Sequence, residues 1–154
     1  MQAWRLTTKR YADTAFSGAG NRKAGSRWVP EGYLSVYTSE HLSLAIVENL
    51  VRFEARHFGD RHVVIPVEIP DDIPMDEVRV ESLPGAWETL YEDDLLEQVG
   101  RDWIEQAQSA VLIVPSAVFP QERNLILNPE HQDFHKIVVG EPQPFRFDGR
   151  LHRG

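Results

Sequence analysis

The sequence predicts an α+β domain, a mixed or antiparallel sheet with flanking helices, and three observations predict it. Short segments that alternate with period two or are rich in β-branched residues recur along the chain, and two longer stretches carry helical apolar spacing. At 154 residues and 42% hydrophobic composition the chain has the size of one domain with one core. No internal repeat or low-complexity tract divides it.

In chain order, Trp4-Arg5-Leu6 is read either as an edge strand with a solvated arginine or as a strand that offers Arg5 to an anion. Tyr33-Leu-Ser-Val-Tyr37 alternates as a half-buried strand, with Tyr33, Ser35 and Tyr37 on one face and Tyr37 at its end. Thr38-Ser39-Glu40 then supplies an N-cap and an acidic first turn, and the spacing predicts a helix from about 40 to 57. His62–Ile69 is a β-branched strand in which Pro66 marks a bulge or an edge. Pro70 to Glu92, acidic and proline-containing, is read as loop. Asp93 to Gln108 places Leu95, Leu96, Val99, Trp103, Ile104 and Ala107 at helical spacing, with Gly100 against it. Ala110–Val114 is a continuous apolar run that suits a central strand ended by Pro115-Ser116, and Leu125–Leu127, Lys136–Val139 and Phe145–Phe147 are shorter strand candidates.

Composition removes several classes of function. With no cysteine there is no disulfide framework, thiolate metal site or cysteine nucleophile. The first ten residues lack the apolar core of a signal peptide, and no apolar run approaches the ~18 residues that span a bilayer. A cytoplasmic protein without membrane contact is expected. The net charge of −8 argues against direct nucleic-acid binding. Charge is uneven: residues 1–30 carry six cations against Asp13, whereas residues 68–105 carry thirteen acidic residues against Arg79 and Arg101. This suggests an anion-facing basic end and a separate acidic surface.

Glu48 is the most informative single residue. Leu44, Ala45, Val51 and Arg52 are its helical neighbours, so its carboxylate projects from a largely apolar face. Such a group is costly unless it is paired, hydrogen-bonded or open to a cleft, and pairing with Arg52 stands beside the functional reading. Arg27, in Gly25-Ser-Arg-Trp28 before Pro30-Glu-Gly32, suits a phosphate or carboxylate clamp, with Trp28 as a stacking surface. Tyr37 precedes the helix of Glu48 and offers a ring to a planar ligand. Ser116 follows a buried strand, without the GxSxG elbow of a serine hydrolase. His131, Asp133 and His135 have a spacing that invites a metal reading, but Pro129 and the β-branched run after them argue against the helix it needs, and no metal is expected. Neither GxGxxG nor a P-loop is present, so a dinucleotide would need another scaffold.

Together, Trp4-Arg5, Gly25-Ser-Arg-Trp28 before Gly32, Val36-Tyr37-Thr-Ser39, Leu44-Ala45 then Glu48, Val114-Pro-Ser116 and Asn124-Leu-Ile-Leu-Asn-Pro-Glu-His131 resemble the RES domain. That family is named for an arginine, a glutamate and a serine, which fall on Arg27, Glu48 and Ser116. Here a serine separates Gly25 from Arg27, where the commoner pattern has none. The resemblance covers a core from about 4 to 147 within one domain of 1–154, leaving 148–154 as a C-terminal tail.

The resemblance implies a toxin of a bacterial toxin–antitoxin pair, with a fold similar to ADP-ribosyltransferases, that depletes NAD by cleaving its nicotinamide–ribose bond. It implies catalytic roles for Glu48, Arg27 and Tyr37, and substrate contacts from Arg5, Trp28, Ser116, Asn124 and His131. NAD is then substrate, with no cofactor required and phosphate as a possible co-substrate. The implied partner is an Xre-like antitoxin in a hetero-oligomer, with the acidic stretch as one docking face. Water, phosphate or a protein side chain can each accept the ADP-ribose. A non-enzymatic binding module and a metal hydrolase built on His131 and His135 are the competing readings.

Overall fold

A computed structural model describes residues 1–52, 55–90 and 94–151. Strand β1 (Gln2–Thr8) leads through a short turn to helix α1 (Ala19–Ala24) and then β2 (Val36–Ser39), helix α2 (Leu42–Leu50) and β3 (His62–Glu68). After β4 (Met75–Glu77) come helix α3 (Asp94–Gln106), β5 (Val111–Pro115), β6 (Arg123–Leu127), β7 (Val138–Val139) and β8 (Gln143–Phe145). These strands form one mixed sheet in the order β4-β5-β6-β2-β1-β3-β7, with β8 also beside β3. The β4–β5 pair is parallel and the rest are antiparallel. The expected fold class is the observed one.

Alternation along the strands sorts the core. Val111 and Ile113 of β5 pack with Val36, Leu125 and Leu127 on one face. Leu112 and Val114 turn to the other, where Leu96 and Trp103 of α3 cover them together with Trp28, Trp87 and Ile126. Farther along the sheet, Leu42, Ile46 and Leu50 of α2 lie on Leu6, Val64 and Phe147. Helix α3 thus covers β5 and β6, while α2 lies over β1 and also touches β2.

Several expectations shift, each for a local reason. The β1 strand is interior, paired with β3 from Gln2–Glu68 to Thr8–His62, so Trp4-Arg5-Leu6 is no edge. Tyr37 lies inside β2 rather than at the end of a strand from 33, and residues 33–35 are irregular, with the Asn21 side chain holding the Tyr33 carbonyl at 3.0 Å. Thr38 and Ser39 do not cap α2; they belong to β2, and their hydroxyls donate to Leu125 O and Asn124 Oδ1 at 2.8 and 2.7 Å. The helix begins after His41 and closes at Val51, and the expected continuation falls partly on residues outside those described. Pro66 sits where the outer neighbour of β3 changes from β8, paired to residues 62–64, to β7, paired to 67–68, which is where a missing N–H costs no ladder bond. The acidic loop after Pro70 contributes β4, and its expected end again passes the described residues.

Candidate active site

The β1–β2 ladder is confined to Trp4 and Ser39. Past that pair the strands part, and Arg5 Nη1 reaches across to donate to the Tyr37 carbonyl at 2.9 Å, occupying an acceptor that an ordinary ladder would have satisfied. A cleft of about 370 Å³ opens at this split, lined on one side by Arg5 to Thr8 of β1 and on the other by Tyr37, Thr38, Ser39 and Asn124. Ala45, Glu48, Asn49 and Arg52 from α2 and the turn after it also line it, as do Arg27 and Trp28. Its volume lies near the lower end of small-molecule sites.

Glu48 is fixed in this cleft by two donors. Ser116 Oγ and Asn124 Nδ2 both donate to Oε1 at 2.7 Å. Each donor is itself held: Ser116 Oγ accepts the backbone N–H groups of Val118 and Phe119 at 3.1 Å, and Asn124 Oδ1 accepts from Ser39. Both bonds fall on one carboxylate oxygen, and among the described residues no bond is made to Oε2 and no ion pair joins Glu48 to Arg52. The half-buried carboxylate is thus oriented without being neutralised, a costly arrangement that suits a group meant to face developing positive charge.

The Arg27 part of the cleft is organised by Tyr37. Its hydroxyl meets Ser26 Oγ at 2.6 Å and accepts the Trp28 N–H at 3.2 Å, so it anchors the Gly25-Ser-Arg-Trp28 turn. Gly25 adopts φ 69°, a left-handed conformation that an L side chain resists, which lets Ser26 close on Val29 before Arg27 emerges. Arg27 lines the cleft and donates through Nη1 to the Glu88 carbonyl at 3.0 Å. Burial pushes the Tyr37 phenol up to about 12, opposed by the Ser26 and Trp28 hydrogen bonds.

Because the folded pKa of Tyr37 lies above the unfolded value near 10, its contribution to stability is complete below pH 10 and is lost between about pH 10 and 12. Tyr37→Phe should therefore flatten the alkaline fall in stability over that window. At neutral pH it should cost about 1–3 kcal/mol, since the Trp28 N–H loses its acceptor. Urea melts at pH 7 and across pH 9–12 check both.

Of the residues named from sequence, Arg5, Arg27, Trp28, Tyr37, Glu48 and Asn124 line one cleft, and Ser116 reaches it through Glu48. Trp28 is no open stacking surface: it is 2% exposed, with its ring 5.8 Å from that of Trp87. His131 is not among the cleft-lining residues. Its Nε2 lies 3.0 Å from Ala107 O and its Nδ1 accepts the Asp133 N–H, so it ties the end of α3 to the turn after β6. Among the described residues no group of three or more histidine, aspartate or glutamate side chains is placed to hold a metal ion. Sequence reasoning missed Arg52 as a cleft residue in its own right, although its position one turn beyond Glu48 was the available signal. His57, His62 and Tyr11 also line the cleft, and nothing in their local sequence marks them.

Ser116→Ala removes one of the two donors to Glu48 and the acceptor for two backbone N–H groups. It should lower stability by about 1–3 kcal/mol and, with Glu48 held by Asn124 alone, lower any turnover at this site by roughly ten- to a hundredfold. Thermal melts and steady-state rates measure the two effects separately.

Comparison with known proteins places this architecture. The RES domain matches residues 2–148. A protein named Toxin Res from Photorhabdus laumondii is 35% identical over 98% of this chain and 97% of its own, and one of the same name from Yersinia enterocolitica is 30% identical over 98% and 99%. A protein named Prs ADP-ribosylating toxin from a Sphingobium species is 28% identical over 97% of this chain and 96% of its own. The crystal structure of the M. tuberculosis MbcT–MbcA toxin–antitoxin complex contains a chain with the same fold, with a TM-score of 0.76 at 15% identity, covering 94% of this chain and 84% of that one. No helix among the described residues is long and apolar enough to cross a membrane.

Proposed function

The chain belongs to the RES domain family, and on that premise we propose that it is the toxin of a toxin–antitoxin pair and cleaves the nicotinamide–ribose bond of NAD in the cytoplasm. The observation that carries this reading is the Glu48 carboxylate, oriented by Ser116 and Asn124 on one oxygen and facing a cleft rimmed by Arg5, Arg27 and Arg52. A cleft with one fixed anion and a cationic rim matches a ligand whose reacting centre becomes positive while its remote part is anionic.

The C1′–N bond to nicotinamide breaks and its electron pair passes to the ring nitrogen, discharging the pyridinium. Ribose gains oxocarbenium character, which Glu48 stabilises electrostatically, as carboxylates do in glycoside cleavage. Nicotinamide leaves neutral, so no strong general acid is required. An acceptor oxygen then bonds to C1′, and its proton passes to solvent. Tyr37 presents its ring beside this centre while its hydroxyl holds the arginine turn, and Arg27 with Arg5 takes the diphosphate. Trp28 backs the Arg27 turn, Asn124 and Ser116 hold Glu48, and NAD is substrate with no further cofactor.

Water or inorganic phosphate is the acceptor in the principal reading. Transfer to a protein is the second, favoured by the Sphingobium relative's name. The relatives' names and the antitoxin in the MbcT complex support a cognate antitoxin, of Xre-like type, bound to this chain. Purified chain incubated with NAD should release nicotinamide, and repeating the assay with and without phosphate, and with labelled NAD beside candidate proteins, separates the three acceptors. No nicotinamide under any of these conditions overturns the reading.

A further inference from the structure

Arg5 is held in an unusual way for a strand residue. It is half-buried in an interior strand, Nη1 is committed to the Tyr37 carbonyl, and Nε is enclosed with no hydrogen-bond partner among the described residues. A buried N–H of a cation left unmatched is among the costlier defects a fold can carry. Burial, and next to it the positive charge of Arg52, bring its pKa down to about 10, so it remains a cation at neutral pH and bears that cost. The hydroxyl of Thr8, on the same strand and lining the same cleft, is likewise buried without a partner among the described residues.

Arg52 supplies the other half. It lies one turn beyond Glu48, is exposed, lines the cleft, and among the described residues makes no salt bridge. Two like charges thus face one cavity, which raises the energy of the empty protein and is reversed by an anion between them.

We propose that Arg52 joins Arg5 in the anion site of the cleft and that the site takes a phosphate group, beside the Arg27 contact given above. This deepens the reading of the cleft given above and rests on it. The i, i+4 relation of Glu48 and Arg52 sets the phosphate about one helical turn from the carboxylate that faces the ribose. Two sources share this chemistry: the diphosphate of the dinucleotide and free inorganic phosphate acting as acceptor.

The test is direct binding to the full chain, wild type and Arg52→Gln, of inorganic phosphate alone and of ADP-ribose alone, read by calorimetry. Arg52 is exposed, so the variant should fold as wild type does, and far-ultraviolet circular dichroism verifies it. Loss of a charge-assisted contact should weaken the occupying ligand roughly ten- to a hundredfold. Weakening of ADP-ribose alone assigns the site to the diphosphate, weakening of phosphate alone assigns it to the acceptor, and weakening of both supports a site shared by the two. Unchanged affinity for both, or no binding of either to the wild type, overturns the proposal. Nicotinamide release measured in parallel keeps the readings apart: a wild type that binds phosphate ligands but releases no nicotinamide retains the anion site and loses the NAD reaction, and the converse result does the opposite.

Discussion

Glu48→Gln should lower nicotinamide release from NAD by at least about 10²–10³-fold while leaving the fold intact, because it changes charge and little else. In the wild type the Ser116 hydroxyl and the Asn124 amide both donate to Oε1. The glutamine carbonyl oxygen can take that place, so both donors keep an acceptor and the cleft keeps its shape. What disappears is the negative charge opposite the developing oxocarbenium ion. The loss should fall on kcat rather than on KM, since ground-state NAD carries its positive charge on nicotinamide and not on ribose. Steady-state kinetics with a thermal melt of the same preparation check the claim. Full activity in a folded Glu48→Gln protein would remove Glu48 from the mechanism and leave the cleft as a binding pocket.

How far this arrangement was legible in the sequence depends on how far apart the partners lie. The Glu48 carboxylate on an apolar helix face is a local signal, visible in Leu44, Ala45 and Val51, and the helix is there. Its two donors stand 68 and 76 residues away, and no local pattern announces them. The same separation explains Thr38 and Ser39. They read as helix caps because a helical apolar pattern begins just after them, yet their hydroxyls are taken by residues 87 and 85 positions on. Arg5 in an apolar strand suggests an exposed edge until β3 is seen pairing along the whole of β1. Met75–Glu77 reads as acidic loop because parallel pairing to β5, reinforced by a Ser109 hydroxyl at 2.6 Å from Asp76, is a tertiary fact. The apolar runs of β5 and β6 and the face of α3 carry their own evidence and needed no partner to be seen.

Ser116 changes most in meaning. A serine after a buried strand suggests a ligand contact or a turn residue. Its oxygen is fully used by two backbone donors and by Glu48, and it is 0% exposed, so in the proposed reaction it works through the carboxylate. The arginine, glutamate and serine of the family name thus divide into a wall, a charge and a support.

Gly100→Ala should be the most damaging substitution outside the cleft, and the sequence argues the wrong sign for it. In a helix interior alanine is favoured over glycine by roughly 1 kcal/mol, so propensity alone forecasts a gain for α3. The structure reverses this. A Cβ at Gly100 would stand 1.8 Å from the Trp28 carbonyl oxygen and 2.8 Å from its carbon. Those are backbone atoms of a buried residue, pinned by the Trp28 N–H to Tyr37 and by packing against Trp87, so they cannot swing aside as a side chain would. Helix and turn must separate, and overpacking of this kind costs typically about 1–3 kcal/mol and at times more, enough to outweigh the gain in propensity. For a chain of this length each kcal/mol lowers the melting temperature by about 2–4 °C. The upper part of the overpacking range, less the propensity gain, is a net loss of about 2 kcal/mol and a fall of roughly 4–8 °C. Activity should fall too, because the displaced residue adjoins Arg27 and its N–H is bound by Tyr37. Gly20→Ala in α1 is the control: nothing lies within 4 Å of its Cβ position, and it should melt at or slightly above the wild-type temperature. A Gly100→Ala protein as stable as that control would mean that α3 and the Arg27 turn have room to separate without loss of packing.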